Sequence, residues 1–237
     1  MQTERLSRLT TEQADRVAGT VLGRLYEGGA LPEPPADVWE DFHRARARIQ
    51  DSFQVPFSSL TPLAARVLYG IAATARPRAL LGVGTYAGNL FGFLTAAGFG
   101  ATCGYEGECA VGLDVDAGAT ALATRNFRRA GYAGTVRFET RDGRTPPAPP
   151  PGGWSLVLLD ADDPVRRKGI YDEVLRSVEP HLADGALVLA HDTAYPKFTA
   201  DLAPYLARVR SDVYRGSVAL PVDEYGIELS VHGRSTP

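Results

Sequence analysis

Lysine is nearly missing from this chain. Of 25 basic residues only Lys168 and Lys197 are lysine, which leaves 23 arginines. Arginine stays charged at any ordinary pH, whereas a desolvated lysine can lose its proton. Side-chain amine chemistry therefore has two candidates. Cysteine is scarce too. Cys103 and Cys109 stand six apart with no histidine beside them, a poor donor set for zinc, and they suit inert thiols in a reducing compartment. No apolar run approaches the roughly 18 residues that span a bilayer, so no membrane partner is expected. The opening residues, MQTERLSRLTTEQADRV, are polar and lack the apolar core of a secretory signal, so a cytoplasmic location is expected. Positive charge is not in excess either. The formal net charge is −3, without the basic footprint that argues for nucleic acid. The RARAR run does not restore one, because Arg44, Arg46 and Arg48 cannot share one helix face.

What is present reads as one α/β domain. At 237 residues a chain can bury about 70% of its unfolded surface. Residues 1–57 read as an N-terminal helical cap and 58–237 as a cofactor-binding domain. Two amphipathic helices are expected in the cap, the first stopped at Gly28-Gly29. A third follows over SSLTPLAARVLYGIAATARP, with Thr61 as its cap and Pro62 at its first position. Apolar runs ALLGV, CAVGLDV, TVRFET, WSLVLLD and ALVLAHD then alternate with helix-like segments near 88–97, 117–130, 167–182 and 198–210. Alternation of this kind predicts a doubly wound, mainly parallel sheet covered by helices. RTPPAPPPGG, between the third and fourth runs, reads as an extended loop. The last segment, SDVYRGSVALPVDEYGIELSVHG, reads as an antiparallel hairpin at a sheet edge and brings the strand count to seven.

The stretch ALLGVGTYAGNLFGF poses the functional question. GVGTYA fits the glycine fingerprint of dinucleotide sites, and Asp114 at the end of the second run can bind ribose hydroxyls. Both features serve a nicotinamide cofactor and S-adenosylmethionine equally. The other strand ends discriminate: Asp142, then Asp160, Asp162 and Asp163, then Asp192. Strand carboxyl ends line one crevice in a doubly wound sheet. An acidic rim there suits a sulfonium cation and repels a pyrophosphate. No Tyr-x-x-x-Lys pair of the short-chain dehydrogenase kind is present. Within a strand, His191 and Asp192 point to opposite faces, which makes His191 structural unless the strand has ended.

On these residues the chain resembles a class I S-adenosylmethionine-dependent methyltransferase over roughly residues 58–234. It is more narrowly similar to the metal-dependent O-methyltransferases of the catechol and caffeoyl-CoA type. The features that carry the resemblance are TPLAARVLYGIAA before LLGVGTYAGN, then VGLDVD, then LVLLDAD with IYDEVLRSVEPHLADGALVLAHDT, and finally VALPVDEYGIELSV. The resemblance implies a Rossmann-like sheet and S-adenosylmethionine as cofactor. Gly82, Gly84, Thr85, Tyr86 and Gly88 would hold its methionine part, Asp114 with Val115 its ribose, and Asp142, Gly143 and Asp160 the remainder of its site. It also implies a divalent cation, Mg²⁺, on Asp160, Asp192 and Thr193, which would lower the pKa of an acceptor hydroxyl. Lys168 or His191 would take the proton. The expected partner is a small-molecule acceptor, with assembly as a homodimer. The sequence departs from the pattern at three places. Gly82 stands where the family has an acid, Thr193 where it has asparagine, and Asp163 where it has lysine, with Lys168 five residues later. Other readings stay open: a metal-independent N- or C-methyltransferase, a nicotinamide oxidoreductase, or a catalytically silent nucleoside-binding protein.

Overall fold

The computed structural model describes residues 9–100, 104–132 and 134–233; Cys103 lies outside them. Seven strands form: β1 (Ala79–Val83), β2 (Cys109–Asp114), β3 (Val136–Thr140), β4 (Trp154–Leu159), β5 (Leu182–His191), β6 (Tyr214–Leu220) and β7 (Ile227–His232). They make one sheet in the order β3-β2-β1-β4-β5-β7-β6. β1 pairs in parallel with both β2 and β4, whereas β7 runs antiparallel between β5 and β6. The winding therefore reverses between β1 and β4, the place where a doubly wound sheet opens its ligand crevice.

Side-chain alternation along the strands makes two cores. Leu81, Val83, Val111, Leu113, Val157 and Val188 face the helices α6 (Ile170–Val178) and α7 (Thr199–Val209). Leu80, Ala110, Leu156, Leu158 and Leu189 face the opposite side. There they meet α3 (Pro62–Ala75), α4 (Asn89–Phe99) and α5 (Ala117–Arg129), behind which lie α1 (Thr11–Glu27) and α2 (Val38–Ser52). Thr61 caps α3 through the Ala64 amide, and a reciprocal Thr10–Gln13 box starts α1. The N-terminal helices are bolted on. Leu22 packs so closely on Gly70 that a β-carbon there would come within 2.5 Å of it. The buried Arg66 guanidinium holds Asp15 of α1 at 2.6 Å and stacks over Phe42 of α2.

Three boundaries differ from expectation. β5 starts at Leu182 instead of Ala186, and its pairing with β4 shifts register between Trp154 and Leu156, where left-handed Gly185 lets the chain bulge. The helix expected near 167 begins at Ile170, because Arg167 sits at φ +52° and Lys168 remains in the loop. β5 ends at His191, and Asp192 turns into the left-handed region at φ +63°.

Candidate active site

The glycine turn closes β1 against β2 and β4. Gly84 and Thr85 donate their amides to Leu113 O at 2.9 and 3.1 Å. Gly84, at φ +78°, lies directly against the Ala161 backbone, so only glycine fits. Tyr86 is also left-handed, at φ +46°, and its amide donates to Asp114 Oδ2 at 2.8 Å. Asp114 Oδ1 accepts from the Asp116 amide at 2.9 Å. Asp114 thus ties the turn to the end of β2, with lone pairs left toward the crevice. Gly88 begins α4, and a β-carbon on it would meet Phe127. At Gly82, where an acid was expected from the resemblance, Phe91 and Thr85 fill the space.

A crevice of about 260 Å³ opens beside this turn. Its floor is apolar, from Val83, Leu113, Ile170 and Val174, and its rim is acidic, with Asp114, Asp142, Asp160, Asp162 and Asp163 against Arg141 and Arg144. Val115 stands on the rim 69% exposed, a large apolar side chain without a cover. Gly143 is buried against Val83 and Val174. Asp142 lines the crevice, but its carboxylate is gripped by the Arg144 guanidinium at 2.6 Å. That hydrogen bond holds it below the usual carboxylate range against the opposing pull of burial.

At the ends of β4 and β5 four ionisable groups meet. The Lys168 ammonium is 2.7 Å from Asp192 Oδ2 and 3.4 Å from Asp160 Oδ1. His191 Nδ1 is 3.2 Å from Asp160 Oδ1 and 3.4 Å from Asp192 Oδ1. His191 and Asp192 therefore do not part to opposite faces as a continuing strand would require. The strand has ended, and the left-handed Asp192 returns its carboxylate to the same site. Burial alone would raise the Asp160 carboxyl, but the charges of His191 and Lys168 outweigh it and keep it low. Burial would lower Lys168 and His191, yet both are raised by the surrounding groups, foremost Tyr171 then Asp160 for the lysine and Asp160 for the histidine. Lys168 is thus held as an ammonium and makes a poor base. His191 Nε2 is buried and has no hydrogen-bond partner among the described residues. Thr193 is the half-buried residue after Asp192.

Asp160, His191 and Asp192 offer ligand atoms within 4.8 Å of one another. Their fit to Mg²⁺ nevertheless fails as folded. A hard dication needs free carboxylate oxygens at about 2.0–2.1 Å in octahedral geometry, and here one oxygen of each carboxylate already faces the Lys168 ammonium, Asp192 Oδ2 at 2.7 Å and Asp160 Oδ1 at 3.4 Å.

Sequence reasoning missed the residues that wire the site together. Buried Asn126 of α5 donates to Gln54 O and Ala87 O, both at 2.9 Å, and so ties the segment after α2 to the glycine turn. Asn89 donates to Ser58 Oγ at 2.7 Å in the same seam. Tyr195 and Tyr225 pair at 5.4 Å between ring centres, and Tyr225 covers His191 at 5.9 Å. Neither residue type nor spacing signals these contacts in sequence.

No protein-family model and no curated protein matches the chain. Solved structures match it in shape. Rv0187 from MTB, solved with its cofactor bound, superposes with a TM-score of 0.63 at 18% identity, covering 83% of this chain and 91% of that one. The O-methyltransferase TomG from Streptomyces achromogenes, solved with SAM, gives 0.61 at 18% identity over 98% and 99%. An O-methyltransferase from Bacillus cereus with SAH gives 0.59 at 15% over 92% and 99%. The fold is that of the class I S-adenosylmethionine-dependent methyltransferases. A caffeoyl-CoA-type neighbour from Staphylococcus aureus belongs to the same set, at 0.57 and 12% identity over 92% and 100%. The methyltransferase fold places the glycine turn, the acidic rim and the four-group cluster at one end of the sheet. Among the described residues, no helix is long and apolar enough to cross a membrane.

Proposed function

We propose that this protein transfers a methyl group from S-adenosylmethionine to a hydroxyl of a small molecule. The observation that carries the reading is the crevice at the β1–β2–β4 ends, where uncovered Val115 and an acidic rim meet the glycine turn. An apolar wall suits an adenine face, Asp114 suits the ribose hydroxyls, and the acids suit a sulfonium. The cofactor, when bound, supplies an electrophilic methyl group on sulfur. The chain's own residues must align an acceptor oxygen with it, and such positioning is worth about 7–11 kcal/mol. The aromatic pair Tyr195 and Tyr225 and the exposed Phe57 offer surface to an apolar acceptor. A hydroxyl acceptor also loses a proton. His191 is our candidate for taking it, because Asp160 holds Nδ1 and the buried Nε2 has no hydrogen-bond partner among the described residues. No step is assigned to a metal.

Calorimetry with S-adenosylhomocysteine and with NADPH tests the cofactor; binding of NADPH alone would overturn the reading. Asp114→Ala is expected to weaken S-adenosylhomocysteine binding by about 1–3 kcal/mol, roughly 5- to 150-fold. Unchanged affinity would remove Asp114 from the site. Mass spectrometry across phenols, sugars and amines, read for the gain of one methyl group, identifies the acceptor class.

A further inference from the structure

We infer that Lys168 is the resident cation of this site: its ammonium, held between Asp160 and Asp192, takes the place a divalent ion would need, and the chain works without one. The inference deepens the methyltransferase reading and rests on it for the cluster's role.

The lysine is built into place. Asp163 and Arg167 close a tight loop through two backbone hydrogen bonds, 2.8 Å for Arg167 N to Asp163 O and 3.3 Å for Asp163 N to Arg167 O. The bridge is antiparallel, so Lys168 leaves it opposite Asp162, back toward the end of β4 and Asp160, and the residues between bulge out. Arg167 anchors that loop to α7 by pairing with Asp201 at 2.8 Å and lying over the Phe198 ring. The Lys168 side chain is only 4% exposed, walled by the rings of Tyr171 at 5.3 Å and Phe198 at 5.8 Å. These rings shield the ammonium from solvent on the lysine's side of the cluster. A 2.7 Å contact to Asp192 is the ordinary length of a charge-assisted bond.

Charge accounting points the same way. The two carboxylates are faced by one ammonium and one imidazole, so a dication added to this group would sit beside a buried like charge. The choice of lysine is also informative in a chain that uses arginine almost everywhere else. A compact ammonium acts as a point charge between two oxygens, whereas a planar guanidinium is broader and needs a fork of acceptors.

The test uses the full chain and Mn²⁺ as probe, read by electron paramagnetic resonance of the free ion. Wild type is expected to leave the free Mn²⁺ signal undiminished. Lys168→Ala, which frees both carboxylates, is expected to take Mn²⁺ up and to gain thermal stability from it, and Lys168→Ala/Asp192→Asn is expected to do neither. Lys168→Met is the second variant if the alanine chain fails to fold, and the wild-type arm needs no variant at all. Uptake of Mn²⁺ by wild type would overturn the inference, as would a folded Lys168→Ala or Lys168→Met chain that ignores the ion. S-adenosylhomocysteine titrated into wild type in EDTA and then in Mg²⁺ is expected to bind equally. Total failure to bind would count against the methyltransferase reading, while the Mn²⁺ spectra would still decide the cation.

Discussion

Asn126 commits a fully buried amide to three backbone contacts. It accepts from Gln54 N at 2.9 Å and donates to Gln54 O and Ala87 O. One side chain thus couples the segment after α2 to the turn that opens the crevice. Asn126→Leu keeps the volume and removes every partner. The stranded groups are expected to cost about 1–3 kcal/mol, a fall in Tm of several degrees at roughly 2–4 °C per kcal/mol for a domain of this size. Thermal unfolding checks it, and calorimetry is expected to show weaker S-adenosylhomocysteine binding because Ala87 lies within the turn. A variant that melts with wild type would mean the seam is held by packing alone.

Helices α6 and α7 are locked together by charge as well as by their apolar faces. Asp172, in the first turn of α6, accepts from Arg176 Nε at 2.8 Å and from Arg208 Nε of α7 at 2.9 Å, and Arg208 reaches Glu179 at 3.0 Å. Burial pushes the Asp172 carboxyl up, but the two guanidinium hydrogen bonds outweigh it and hold it below its ordinary value. A carboxyl lowered in the folded state stabilises the fold above its unfolded pKa, near 3.9. That contribution is lost as the pH falls through the lower folded value. Wild type is therefore expected to exceed Asp172→Asn in urea midpoint at neutral pH and to converge with it in acid. A constant gap between pH 7 and pH 2 would contradict this account. The clamp matters to the site because α6 directly follows the loop that delivers Lys168.

Across the whole molecule, the N-terminal helices are part of the core, not an appendage over the crevice. Leu22, Phe42 and Ile49 are buried in the same cluster as Leu80 and Leu156 of the sheet. None of the residues lining the crevice comes from α1 or α2. Deleting residues 1–52 would uncover Tyr69 and Gly70 of α3 and the α4 face at Gly92 and Phe93. The truncated chain is expected to aggregate or to persist as an expanded state that binds hydrophobic dyes. A soluble fragment that unfolds cooperatively and binds S-adenosylhomocysteine would show the cap to be dispensable.

The alternation of apolar runs and helical stripes, the Thr61–Pro62 start, the glycine turn and the carboxylates at successive strand ends were all legible in the amino-acid sequence. These features depend on side-chain period and on backbone freedom within a few residues, so local sequence determined them. The chemistry of the site was not local. Asp160, Lys168 and Asp192 are separated along the chain and meet because β4 and β5 are neighbours. The Asp163–Arg167 loop closes on itself and delivers Lys168 to that meeting point. The left-handed turn at Asp192 then brought a carboxylate and an imidazole, expected on opposite faces, to the same ammonium-filled site. Tertiary structure alone decided that a lysine stands between the two acids, because ion pairing depends on distances through space, which sheet order and loop closure set and residue spacing does not.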